Sequence, residues 1–183
     1  MVRKKLPRTL TQEEFEKLFA EATKIYTSTK SKRKHRINQY RVAMLLGFEG
    51  GMRISEICGY QEKVPPLTKD RVTQNQIRII SGKGGKDRIV PKPKRFSQKA
   101  INMLPLTIGR RALQKFITQL GEKVLGKEIS FHTLRHGFCS HLVNSGRPLH
   151  EVQMLAGHSR LDTTGIYLHA NPEKAIKGAQ DAF

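Results

Sequence analysis

The chain has 183 residues, enough for one domain with a true apolar core or at most two small ones. It is 37% hydrophobic and 27% charged, and no apolar run approaches the roughly 18–20 residues that a membrane span needs. Thirty-four Lys and Arg against fifteen Asp and Glu leave a formal charge of +19, so the expected partner is a polyanion, DNA or RNA, whose phosphates release condensed counterions when neutralised.

No membrane partner is expected, because binding an anionic bilayer needs a basic amphipathic helix with large apolar residues opposite, and none stands out. The first ten residues, "MVRKKLPRTL", have no apolar stretch of the signal-peptide kind. Cys58 and Cys139 are the only cysteines and no CxxC occurs. A disulfide framework is therefore not expected, and a reducing cytoplasm is.

In chain order, "LTQEEFEKLFAEATKI" opens with Thr11 and Glu14 three apart, as in a capping box. Leu10 and Phe15 are placed for a hydrophobic staple, and Phe15, Leu18, Phe19, Ala22 and Ile25 keep helical spacing. "TSTKSKRKHR", residues 27–36, has six basic residues counting His35 and no acid; it reads as a basic loop, either solvated or touching a DNA backbone. Lys30, Lys32, Arg33, Lys34 and Arg36 are the candidate contacts.

"INQYRVAMLLGFEGG" reads as a central helix ended by Gly50 and Gly51, and "MRISEICGY" as a short helix or turn. Leu67–Val72 is a candidate strand, and "NQIRII" and "DRIVP" flank "SGKGGK" as a hairpin. Lys86 and Arg88 on that hairpin read as DNA-backbone contacts or solvated charges. "SQKAINML", "TIGRRALQKFITQLGEKV", "FHTLRHGFCSHLVNSG", "LHEVQMLAG" and "DTTGIYLHA" read as helices, with one more from Pro172. The expected class is α+β, mainly α-helical with a small antiparallel sheet, in a single domain over 1–183.

Residues 131–146 hold three histidines and an arginine within ten residues. A zinc helix would need H-E-x-x-H, yet Thr133 follows His132, and no acidic ligand or zinc-spaced cysteine pair lies near. No metal and no cofactor are expected. His132, Arg135 and His136 fall three and four apart, and Leu134, Phe138 and Leu142 form a separate apolar stripe. Cationic donors near a helix N-terminus suit a phosphate, which an arginine fork can hold through two oxygens. The bland alternative, core-edge histidines bonded to carbonyls, holds for most single histidines.

The other motifs tip the balance. "GMRISEI", "GKGGKDRIVP", "HTLRHGFCSHLVNSG" and "LAGHSRLDTTGIYLH" follow one another in an order that resembles the tyrosine recombinase (phage integrase) family, over about residues 9–170. The resemblance implies six catalytic residues: Arg53, Lys83, His132, Arg135, His158 and Tyr167. Arg53 and Arg135 would clamp the non-bridging oxygens, Tyr167 would attack phosphorus, and His132 would help accept or position the phenolic proton. Lys83 would protonate the leaving 5′-oxygen and His158 would hydrogen-bond the phosphate. Glu56 would orient Arg53 or a histidine, and His136 would support the fold and the site.

The resemblance also implies double-stranded DNA as partner, self-association on DNA in a tetrameric synapse, and a nucleoid-associated life in the cytoplasm of a prokaryote, or as part of a virus of one. The family's separate N-terminal core-binding domain is expected to be absent here. Two other readings stay open at this point: a type IB topoisomerase-like enzyme and a non-catalytic basic DNA-binding module. The complete set of six argues against the second.

Overall fold

The computed structural model describes residues 9–30, 32–80 and 87–157. Helix α1 spans Gln12–Ser28, α2 Lys32–Phe48, α3 Ile54–Cys58, α4 Gln98–Ile101, α5 Arg110–Leu125, α6 Phe131–Asn144 and α7 Leu149–Ala156. Strands β1, Gln76–Ile79, and β2, Arg88–Pro91, pair antiparallel with Ile77 opposite Val90 and Ile79 opposite Arg88. This is the mainly helical architecture with a small antiparallel sheet that the sequence implied.

Local chemistry explains where the elements start. Thr11 caps α1: its hydroxyl accepts from the Glu14 N–H at 3.1 Å, and the Glu14 carboxylate accepts from the Thr11 N–H at 3.1 Å. Leu10 and Phe15, the staple pair, are both buried. The ring of Phe15 stacks on Phe48 at 4.1 Å between centroids, which fixes α1 against the end of α2. Ser130 begins α6 in the same reciprocal way with Thr133.

Two expected elements differ. Residues 27–36 are not one loop, because α1 runs to Ser28 and α2 begins at Lys32. A basic first turn opposes the helix dipole, yet Ile37, Tyr40, Ala43 and Met44 bury the inner face of α2, and that tertiary gain outweighs local charge. Leu67–Val72 forms no strand: Lys69–Arg71 is a single 3-10 turn, the Asp70 carboxylate bonds Thr68, and Val72 makes one isolated bridge to Ile77. The helices expected at "DTTGIYLHA" and from Pro172 lie outside the described residues.

The main core joins α1, α2, α5 and the N-terminal half of α6 with the inner face of the hairpin. A smaller cluster of Phe138, Cys139, Val152 and Ala156 joins α6 to α7. Helices α2 and α6 approach so closely that a Cβ on Gly137 would meet the Phe48 ring at 2.6 Å and the Leu10 carbonyl at 2.7 Å. Gly137→Ala is therefore expected to destabilise the domain by roughly 1–3 kcal/mol, read as a drop in urea midpoint with unchanged m. No helix among the described residues is long and apolar enough to cross a membrane.

Candidate active site

The site grows from three elements that meet at the C-terminus of α7. Arg53 stands at the N-cap of α3, with extended backbone at φ −78° and ψ 150°. Its side chain has no acceptor, so only the return half of a capping box forms: the Glu56 carboxylate accepts from the Arg53 N–H at 2.7 Å. The same carboxylate takes Arg53 Nη1 at 2.8 Å. The other terminal nitrogen of Arg53 reaches the Gly157 carbonyl at 3.1 Å and the Ala156 carbonyl at 3.5 Å.

Arg135 comes from the first turns of α6 and is 6% exposed. Its Nη1 donates to the Gly51 carbonyl at 2.5 Å and its Nη2 to the Ala156 carbonyl. Gly51 is positioned for this by a left-handed backbone, φ 62°, and by the absence of a side chain: a Cβ there would lie 2.4 Å from the Phe138 ring. The glycine pair that ends α2 thus also turns a carbonyl toward Arg135.

The third arginine is Arg88. Arg88 was expected as a DNA-backbone contact or a solvated charge, and the solvated reading is corrected: its side chain is 8% exposed and forks onto Glu56, with Nη1 to Oε1 at 2.6 Å and Nη2 to Oε2 at 2.8 Å. Its Nε donates to the Leu155 carbonyl at 3.0 Å. The alternation of β2 explains the placement, since Ile89 points outward at 51% exposure and Val90 is fully buried. Arg88 shares the inner face with Val90. That signal was present in "DRIVP": an inward arginine needs a buried carboxylate, and "RISEI" holds one.

Charge explains why this cluster is stable. A helix C-terminus leaves carbonyls without intrahelical donors and carries partial negative charge. The carbonyls of Leu155, Ala156 and Gly157 take donors from all three arginines. Burial of Glu56 would raise its pKa, but the Arg88 hydrogen bonds and charge, with help from Arg53, hold it down to about 2. Burial, then the charges of Arg53 and Arg88, push Arg135 down to about 10, which still leaves it protonated at neutral pH.

The histidines of α6 separate. His132 is exposed near the helix start, whereas His136 is half-buried, and burial followed by His132 and Arg135 pushes its pKa down. Lys83, Lys86, His158 and Tyr167 lie outside the described residues. Lys30, Arg33 and Arg36 are exposed around the start of α2, where Lys34 lies over the Tyr26 ring at 5.0 Å; the side chain of Lys32 is not described. Among the described residues, no group of three His, Cys, Asp or Glu is arranged to hold a metal ion.

Residues 105–174 match the Phage integrase family. A tyrosine recombinase, XerA of Thermococcus kodakarensis, is 31% identical over 99% of this chain and 64% of its own length. The XerH site-specific recombinase, in a pre-cleavage complex with its difH substrate, superposes over 98% of this chain and 55% of its own, with TM-score 0.69 and 23% identity. The catalytic domain of bacteriophage HP1 integrase superposes over 94% of both chains, with TM-score 0.60 and 22% identity. The chain spans between 46% and 64% of the length of the curated relatives it matches. With its ordered motifs, its fold and the XerA likeness all in agreement, the chain belongs to the tyrosine recombinase (phage integrase) family.

Proposed function

We propose that this chain is the catalytic domain of a site-specific DNA recombinase or integrase, which cuts and rejoins strands through a covalent 3′-phosphotyrosine. The observation that carries the reading is the convergence of Arg53 and Arg135, from separate helices, on the Ala156 carbonyl. Two guanidiniums gathered at one point suit the two non-bridging oxygens of a phosphodiester. The relatives are recombinases, which disfavours the topoisomerase-like reading.

In this reading the Tyr167 oxygen attacks phosphorus and the bond to the 5′-oxygen breaks. Lys83 supplies the proton that the leaving oxygen needs, and His132 helps remove the phenolic proton. Arg53 and Arg135 stabilise charge on the non-bridging oxygens, with His158 as a further donor. Glu56 orients Arg53, and His136 supports the site from the next turn of α6. The phosphotyrosine bond conserves the energy of the cleaved one, so a second 5′-hydroxyl can reverse the step on another strand. Double-stranded DNA is the partner, copies of the protein assemble on it as a synapse, and the protein works at the nucleoid.

The test is incubation with a nicked suicide duplex, which traps the cleaved state, followed by denaturing gels. A covalent protein–DNA adduct is expected, with the same yield in EDTA, because arginines supply the electrostatic stabilisation. Non-covalent binding without any adduct, on every suicide duplex tried, favours the DNA-binding module instead.

A second expectation concerns salt. Lys30, Lys32, Arg33, Lys34, Arg36 and Lys86 are the proposed backbone contacts, and the chain carries +19. The logarithm of duplex affinity should fall linearly with log salt, at about 0.9 per phosphate neutralised, measured by fluorescence anisotropy. A flat salt response would remove the basic segment from the interface.

A further inference from the structure

We infer that Arg88 is a positioning residue for strand cleavage: from the hairpin it locks Glu56 and the C-terminus of α7, and through them the phosphate-binding pose of Arg53. The inference rests on the functional reading above, and Arg88 itself is assigned no contact with DNA.

The geometry is a closed set of bonds. Arg88 meets both oxygens of Glu56, at 2.6 and 2.8 Å, and its third nitrogen, Nε, meets the Leu155 carbonyl at 3.0 Å. Glu56 Oε1 is shared with Arg53 Nη1 at 2.8 Å, and Oε2 takes the Arg53 N–H at 2.7 Å. Arg53 Nη2 then reaches Gly157, two residues beyond the carbonyl that Arg88 holds. Arg88 therefore grips both surfaces against which Arg53 is oriented, the carboxylate and the helix end. With its Nε, Nη1 and Nη2 all engaged on Leu155 and Glu56, it is poorly placed to take a phosphate.

Arg88 also keeps its carboxylate ionised. The charged groups acting on Glu56 among the described residues are Arg53 on its own helix, Arg88 from β2 and Arg135 from α6. Helix α7 presents carbonyls to the cluster, and α5, which also packs on α3, turns Arg110 toward Cys58. Burial is the largest influence on Glu56 and works against ionisation. Without Arg88, burial gains the upper hand and the carboxyl takes up a proton at higher pH. A protonated Glu56 turns one acceptor site into an O–H donor and loses the charge that attracts the Arg53 guanidinium.

Arg88→Met removes the fork and the charge at similar side-chain length. The single-turnover rate of adduct formation on a suicide duplex should fall on the order of 10²-fold, as for a misplaced catalytic group. Duplex affinity should stay within about threefold, because Arg88 lies off the interface. The ratio of variant to wild-type rate should fall further from about pH 8 to about pH 5, as Glu56 protonates; taking the ratio cancels the shared titration of the histidines. Arg88→Lys keeps the charge, and should recover most of the rate with a ratio independent of pH.

If Arg88→Met alone does not fold, the double variant Glu56→Gln with Arg88→Met replaces the buried pair with uncharged groups. It should cleave slowly, bind DNA normally and show a pH-independent ratio. A pH-independent ratio in Arg88→Met, no rescue by lysine, an affinity loss equal to the rate loss, or a double variant as fast as wild type each overturns the inference. A wild type that forms no adduct overturns the functional reading, and this inference with it.

Discussion

Tyr167→Phe is expected to abolish the covalent protein–DNA adduct while leaving duplex affinity near wild type. The substitution removes one oxygen and keeps the ring, so the loss reports chemistry rather than packing. An unperturbed phenol, with a pKa near ~10, is a weak nucleophile at neutral pH, and a cationic site favours its phenolate. The measurement is denaturing gel retardation beside anisotropy on the same duplex. An adduct that persists in Tyr167→Phe would transfer the nucleophile's role to Tyr26, Tyr40 or Tyr60, the remaining tyrosines. Of these, Tyr40 is buried and stacked on Phe116, which makes it the poorest substitute.

Arg135 should show the next largest effect. Arg135→Ala removes a bidentate donor from the transition state, and losses of about 10²–10³-fold or more are usual for one such donor. It also strands the Gly51 carbonyl in a buried place and leaves the Ala156 carbonyl only its 3.5 Å contact with Arg53, so a fall in melting temperature should accompany the loss of rate. Arg135→Lys separates the two effects. It keeps one charge but not the planar fork, so the adduct rate should still fall at least tenfold while far-UV circular dichroism and melting stay close to wild type. A lysine variant that cleaves at the wild-type rate would remove Arg135 from the phosphate clamp.

Much of this architecture was legible in the sequence because it is local. Thr11 with Glu14, the Gly50–Gly51 stop and the two β-branched runs around "SGKGGK" each declare an element within a few residues. The start of α2 was not legible, since Lys32–Arg36 is poor helix-opening chemistry and the helix is held there by residues a turn or more downstream. Arg53, Glu56 and Arg135 were found as members of motifs, and the structure brings them together. The burial of Arg88 was not read from the sequence, although on a two-residue period it belongs with Val90, not with Ile89.

The meeting of three arginines with one carboxylate has a consequence for what the site prefers to bind. Among the described residues of the cluster, three guanidinium charges stand against one carboxylate, which leaves two positive charges uncompensated. A phosphodiester in its resting form carries a single negative charge and balances only one of them. The five-coordinate phosphorane formed as an oxygen nucleophile attacks carries two. Electroneutrality is then reached at the top of the barrier and not at the substrate, so the cluster is complementary to the species it must stabilise. Vanadate, which takes up that trigonal-bipyramidal shape, should be held more firmly than phosphate.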